Sequence, residues 1–297
     1  MTKNLKKKKH EKKSRIKRTE RSRNRKKNRA GKFWYFLSLY FVFIAVSASG
    51  QSGEYPFKSG EYARYGAYYN FQFIWVQSGE VEFNADTLKY KQQDAWHLKA
   101  VGKSLKAYDL LFSVRDTFET YSNYSSFKPI YSSRVMSHAK QNSVHRYWFD
   151  SASGKIDVQI KQDKKPEYRA SLPAPDNTYD LLATAYNFRK FDFNKLFVGQ
   201  KVPYRMLIDR QVADLFFRYL GKENVKTRNG KVYRCHKVSV YLLQGDFFAE
   251  GEYMKIWFTD DKNHLPVQVE TEILVGSVKA LLLEPKSMKY PLTSQIK

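Results

Sequence analysis

Apolar residues take every second place along much of this chain. Glu80-Val81-Glu82-Phe83-Asn84-Ala85 and Lys155-Ile156-Asp157-Val158-Gln159-Ile160-Lys161 alternate without a break. Side chains of a strand point to opposite faces in turn. A period of two therefore predicts strands with one face on a core and the other in water. Ser151-Ala152-Ser153-Gly154 parts the second segment from Val144 to Phe149, which predicts a hairpin. The second half continues the pattern, with strands expected at Val202 to Ile208, Leu215 to Leu220, Lys231 to Leu243, Met254 to Thr259, Val267 to Ile273 and Ser277 to Leu283. Asn229-Gly230 and Asp260-Asp261-Lys262-Asn263 supply turns between them.

The period changes after Pro173-Ala174-Pro175. Leu181, Leu182, Ala185 and Phe188 fall on one face at helical spacing, which predicts a helix from about Tyr179 to Lys190. Asp176, Asn177 or Thr178 offers a cap for it. A shorter helical turn is expected at Leu105 to Phe112. The expected fold is mainly β: a large curved antiparallel sheet or partly open barrel with one or two short helices. Residues 58–290 form one β-rich domain, with an internal junction near 172–178 where prolines crowd.

The start of the chain has a different character. Phe33 to Ala48 is uncharged and rich in large apolar residues, and it ends in Val46-Ser47-Ala48-Ser49-Gly50. Val46 and Ala48 fit the small-x-small pattern of a signal peptidase site before Ser49. Residues 1–32 form the basic region ahead of it, 33–50 the apolar and cleavage region, and 51–57 a polar linker. The expectation is a cleaved export signal, with an uncleaved membrane anchor as the alternative. Either way the inner membrane is a partner during export, and the body works outside the cytoplasm, most simply in the periplasm. The absence of Cys after the apolar run excludes a lipoprotein signal.

Charge follows the same division. Seventeen Lys and Arg against Glu11 and Glu20 place +15 of the formal +24 in residues 1–32, leaving +9 for the rest. The basicity belongs to a tail next to an apolar run, so nucleic acid is not an expected partner. The 22 Tyr and 21 Phe favour sheet.

Candidate chemistry is sparse. The lone cysteine, Cys235, sits in an expected strand and is expected to be buried and inert. The six histidines, His10, His97, His138, His145, His236 and His264, show no metal-ligand spacing and are expected on the solvated surface. No metal, cofactor or catalytic residue is expected; no G-x-S-x-G elbow or phosphate loop occurs. Asp116 shares a face with Val114 and Phe118, and if that face is the core it needs a partner, an Arg or a backbone N–H. Phe73, Trp75, Phe112, Trp148, Phe216 and Trp257, with Asp116, are the candidate lining of an apolar ligand cavity. Such aromatics more often fill a core.

Several short segments, taken in order, resemble a known family. They are Phe57-Lys58-Ser59-Gly60-Glu61 with Tyr65 and Tyr69, Gly79-Glu80-Val81, Leu111-Phe112-Ser113-Val114-Arg115-Asp116, Asp180-Leu181-Leu182-Ala183, Tyr219-Leu220-Gly221-Lys222-Glu223, Ile256-Trp257-Phe258-Thr259-Asp260-Asp261, Leu265-Pro266-Val267 and Val275-Gly276-Ser277-Val278. Together they resemble the bacterial exported proteins grouped as domain of unknown function 3108, in the form found in Bacteroidetes. The resemblance implies an exported β-rich protein with no assigned activity. More loosely, the strand–Asp–turn–Leu-Pro–strand pattern is similar to that of periplasmic lipoprotein carriers, whose curved sheet holds acyl chains under a helical lid. The expected function is non-enzymatic binding of an apolar or lipidic ligand, or of an envelope partner. The alternatives are an interaction module without a ligand cavity, and an enzyme of unrecognised type.

Overall fold

Among the described residues the alternating segments become fifteen strands of one sheet. The structure is a computed structural model that describes residues 55–71, 74–109, 113–138, 141–242, 251–272 and 277–296. The expected signal region with Val46, Ala48 and Ser49 lies outside the described residues, as do Phe73 and Phe112. The first meander runs β1 (Glu61–Phe71), β2 (Ile74–Tyr90), β3 (Gln93–Ser104), β4 (Val114–Asn123), β5 (Pro129–His138), β6 (Gln141–Asp150), β7 (Lys155–Gln162) and β8 (Tyr168–Pro173). The second runs β9 (Thr178–Tyr179), β10 (Lys201–Ile208), β11 (Gln211–Lys226), β12 (Val232–Leu242), β13 (Gly251–Thr259), β14 (Pro266–Glu272) and β15 (Ser277–Lys286).

Every strand pairs with its neighbours in sequence except at β8 and β9, and β15 returns to pair antiparallel with β1. Only the short β9 runs parallel to its partner, β10. The sheet's two edges are β8 and β9, which are consecutive in the chain. The sheet therefore curls without closing into a hydrogen-bonded barrel. Pro173 ends β8 and Pro175 follows it; a residue without an N–H cannot carry a ladder onward. Side chains bring the two sides of the opening together. Leu207 of β10 packs with Tyr147, Ile156, Val158 and Ile160 of β6 and β7, and Val212 with Leu172 joins the same cluster. In the turn after β10, Asp209 accepts from Arg134 at 2.9 Å, and the Arg210 guanidinium lies 4.4 Å over the Tyr168 ring.

Helix α1 (Leu181–Phe188) follows β9. Its cap is Asp180, two to four residues later than expected: one carboxylate oxygen accepts from the Leu182 and Ala183 N–H groups at 3.0 and 3.3 Å. Thr178 and Tyr179 are taken up in pairing with Arg205 and Met206, which delays the helix. Leu182, Ala183 and Tyr186 pack against Phe57, Trp96, Leu98, Ala100 and Phe127. Phe188 joins Phe193, Phe217, Val238 and Phe258 in a neighbouring cluster. At the end of α1, Arg189 turns inward. Its guanidinium donates to both carboxylate oxygens of Glu61, and Nε donates to the Asn263 carbonyl at 3.0 Å. Both residues are almost fully buried, 3% and 2% exposed, so the pair ties the helix to β1. The other expected helical turn is a single 3-10 turn, Lys106–Tyr108.

Candidate functional site

Each described candidate lining residue has neighbours of its own. Trp257 is buried in a cluster with Tyr233, Cys235 and Leu265. The Lys279 ammonium lies 4.5 Å over the Trp75 ring, and the Phe216 ring stacks on Tyr241 at 5.1 Å. Asp116 has a partner of a type not expected: both carboxylate oxygens lie 2.9 Å from His138 Nε2. Val114 is the residue in register with His138, so the contact is diagonal across β4 and β5.

Two histidines expected at the surface are instead buried. His145 is 5% exposed, between Ser143 Oγ at 2.8 Å and Tyr147 Oη at 3.0 Å. His236 is fully covered; its Nε2 lies 2.9 Å from Asp260, and Nδ1 meets Tyr219 Oη at 3.0 Å. Phe193 stacks on the His236 ring at 5.2 Å. Lys222 and Arg234 neutralise Asp260 at 2.9 and 3.1 Å. His236 thus links Tyr219 to the partly exposed Asp260, and each of these polar groups has a partner. Cys235 is fully buried, as expected, and burial pushes its thiol up to about 12.

The outer face of the first meander is organised differently. Register places His97, Tyr121, Tyr131, Trp148, Asp157 and Ser171 in one row across six strands. Tyr147, Ile156 and Val158, which alternate with members of this row, are buried in the core, so the row faces outward. His97 stacks on Tyr121 at 4.6 Å, and Tyr90 on Tyr121 at 4.3 Å. Tyr131 follows at 6.2 Å from Tyr121, and Trp148 at 5.7 Å from Tyr131. Two residues along the strands runs a polar row: Lys99, Glu119, Ser133, Arg146, Gln159 and Arg169. Arg146 donates to Gln159 Oε1 at 3.3 Å, and Gln159 Nε2 donates to Glu167 at 2.8 Å. Glu167 also accepts from Arg169 at 2.5 Å. The Gln159 amide, with Lys161 and Arg169, holds the Glu167 carboxyl down to about 2, so this bracket stays ionised.

Where the aromatic row ends, a shallow, open depression of about 520 Å³ lies among Trp148, Asp157, Gln159 and Arg169, with Val158 and Ala170 also lining it. The half-buried Trp148 contributes an apolar ring, Asp157 an exposed acceptor, Arg169 an exposed donor and Gln159 both. Such a set can hold a ligand that has an apolar face and a rim of hydroxyls. Trp148 was a candidate on aromatic character alone. Asp157, Gln159 and Arg169 were not, because alternation tells which face a residue takes but not which residues lie beside it.

Comparison with known proteins agrees with the fold. A crystal structure of a beta-barrel-like protein of domain of unknown function DUF1849 from Brucella abortus is similar at a TM-score of 0.50. The match covers 79% of this chain and 100% of that one at 10% identity, a likeness of fold alone. No curated protein matches in sequence. Among the described residues no helix is long and apolar enough to cross a membrane. The family model described as "Protein of unknown function (DUF3108)" matches residues 64–283, and the chain belongs to that family.

Proposed function

We propose that this chain is an exported envelope protein that binds glycan on the outer face of its sheet. The observation that carries the reading is the Trp148 depression, where an aromatic ring stands among an acceptor, a donor and an amide. A sugar ring is apolar on its C–H face and polar around its edge, so it needs this mixture; a cation or a hydrocarbon does not. Stacking on Trp supplies area at low entropy cost, and the hydroxyls take up the polar rim. The Tyr131–Tyr121 row continues from the depression and offers an extended glycan further contact.

Export rests on the basic residues 1–32, the apolar Phe33 to Ala48 run and the small residues Val46, Ala48 and Ser49. Periplasmic residence follows from a cleaved signal, and inner-membrane attachment from an uncleaved one. An apolar ligand inside the sheet, the role suggested by the likeness to lipoprotein carriers, finds less support. Under α1, Phe57 meets Trp96 and Tyr186 edge-on at 4.9 and 5.0 Å, an arrangement that fills the space a ligand would take.

The test is calorimetric titration of the full-length chain, in mild detergent, with soluble oligosaccharides released from envelope glycan and, separately, with a fatty acid. Trp148→Ala is expected to weaken oligosaccharide binding about tenfold, about 1.4 kcal/mol, without loss of fold. Fatty-acid binding alone, or oligosaccharide binding indifferent to Trp148→Ala, would sink the reading.

A further inference from the structure

A second surface lies in the segment between α1 and β10. Phe197 and Val198 are adjacent and 71% and 68% exposed, the two most exposed large apolar residues described. A solvated apolar pair of this kind is ordinary in a floppy loop, but this loop is built. Gln200 N donates to the Phe197 carbonyl at 3.0 Å, and the Gln200 side chain accepts from Phe197 N at 3.2 Å. Gly199 N donates to the Tyr219 carbonyl at 2.8 Å, and Tyr219 N returns a bond to Gln200 O at 3.0 Å. Gly199 turns the chain at φ +91°, which few other residues tolerate. Behind the tip, Phe193 is fully buried and Leu196 packs on the same cluster. The fold thus anchors the loop at its base and holds two apolar side chains out in water.

Cations flank this tip along the chain. Lys195, just before it, has an 81% exposed side chain, and Lys201, just after it, is exposed with its ammonium 4.1 Å over the Phe216 ring. Arg218 stands opposite Lys201 on β11. Asp192 lies 3.3 Å from Lys195. An apolar wedge flanked by cations matches a surface that is negative at its rim and hydrocarbon beneath.

We propose that Phe197 and Val198 insert into the interfacial region of an anionic lipid membrane, with Lys195 and Lys201 on its headgroups. The proposal is independent of the Trp148 depression. Because the N-terminal apolar run could carry the full chain onto vesicles, the readout must sit at the tip. Val198→Cys can be labelled with an environment-sensitive dye, since the native Cys235 is fully buried. Ala152→Cys, exposed in the turn between β6 and β7, is the control site. The full-length labelled chain is mixed with vesicles of phosphatidylglycerol and phosphatidylcholine, or of phosphatidylcholine alone. The expected result is a blue shift at the tip with the anionic vesicles only, lost in Lys195→Glu/Lys201→Glu, and none at position 152. Absence of a shift, an equal shift in both lipids, a shift indifferent to the two lysine changes, or an equal shift at the control site would each overturn the proposal.

Discussion

His145 shows what a single residue does at the opening of the sheet. It is buried on the inner side of β6, with Asp209 of the opposing turn 3.7 Å from its ring. Burial, and then the Arg134 guanidinium, push its pKa down to about 4. The folded chain therefore refuses a proton that the unfolded chain accepts near pH 6.5. The unfolded state binds more protons throughout the interval from about 6.5 down to 4, so folding stability falls as pH drops through it. Urea titrations at pH 7 and pH 5 should show a loss on the order of 1 kcal/mol that His145→Gln reduces. His236 and His264 are also depressed by burial and act in the same direction, so the informative quantity is the wild-type slope minus the variant slope. A slope unchanged by the substitution would remove His145 from this account. Little of it was legible in the sequence. His138 ends β5 and His145 stands within β6. Which of them took Asp116 and which took Tyr147 was decided by side-chain packing that spacing does not encode.

At the scale of elements, α1 is held at both ends by carboxylates. Asp180 caps its start and takes a bond from the Thr120 hydroxyl of β4 at 2.6 Å, while Glu61 holds Arg189 at its finish. Removing one partner of a buried ion pair leaves the other uncompensated. Glu61→Ala should therefore cost about 3–5 kcal/mol, whereas the double change Glu61→Leu/Arg189→Met should recover much of that. Thermal unfolding of the two variants tests the claim, and equal losses would refute it. Strands and helix were largely legible, because period-two and period-3.6 patterns are properties of one segment at a time. Lys155 to Lys161 and Leu181 to Phe188 both stand where the pattern placed them. The helix start was misplaced because β9 pairs with β10, and that pairing spans a distance in sequence no local signal carries. The Trp148 depression was illegible for the same reason: Trp148, Asp157 and Arg169 come from three strands, and their assembly is a matter of register.

Among the described residues the sheet is two meanders joined along β1 and β15. Curved-sheet character followed from many short alternating segments, and Pro173 and Pro175 stand where β8 gives way to the sheet's opening. That strands from opposite ends of the domain lie side by side did not follow from any pattern, since Tyr62 faces Lys286 across 224 residues of chain. This arrangement has a consequence for how the polypeptide can be divided. The covalent link at Ala174–Asn177 joins two strands that share no ladder, whereas the longest ladders lie wholly within one half or between β1 and β15. A protease nick at this link should leave the two pieces associated, and separately expressed halves should find each other as a noncovalent heterodimer. Co-elution of the two fragments on size exclusion with native-like circular dichroism would establish it, and independent elution would show that the tether itself is needed for assembly.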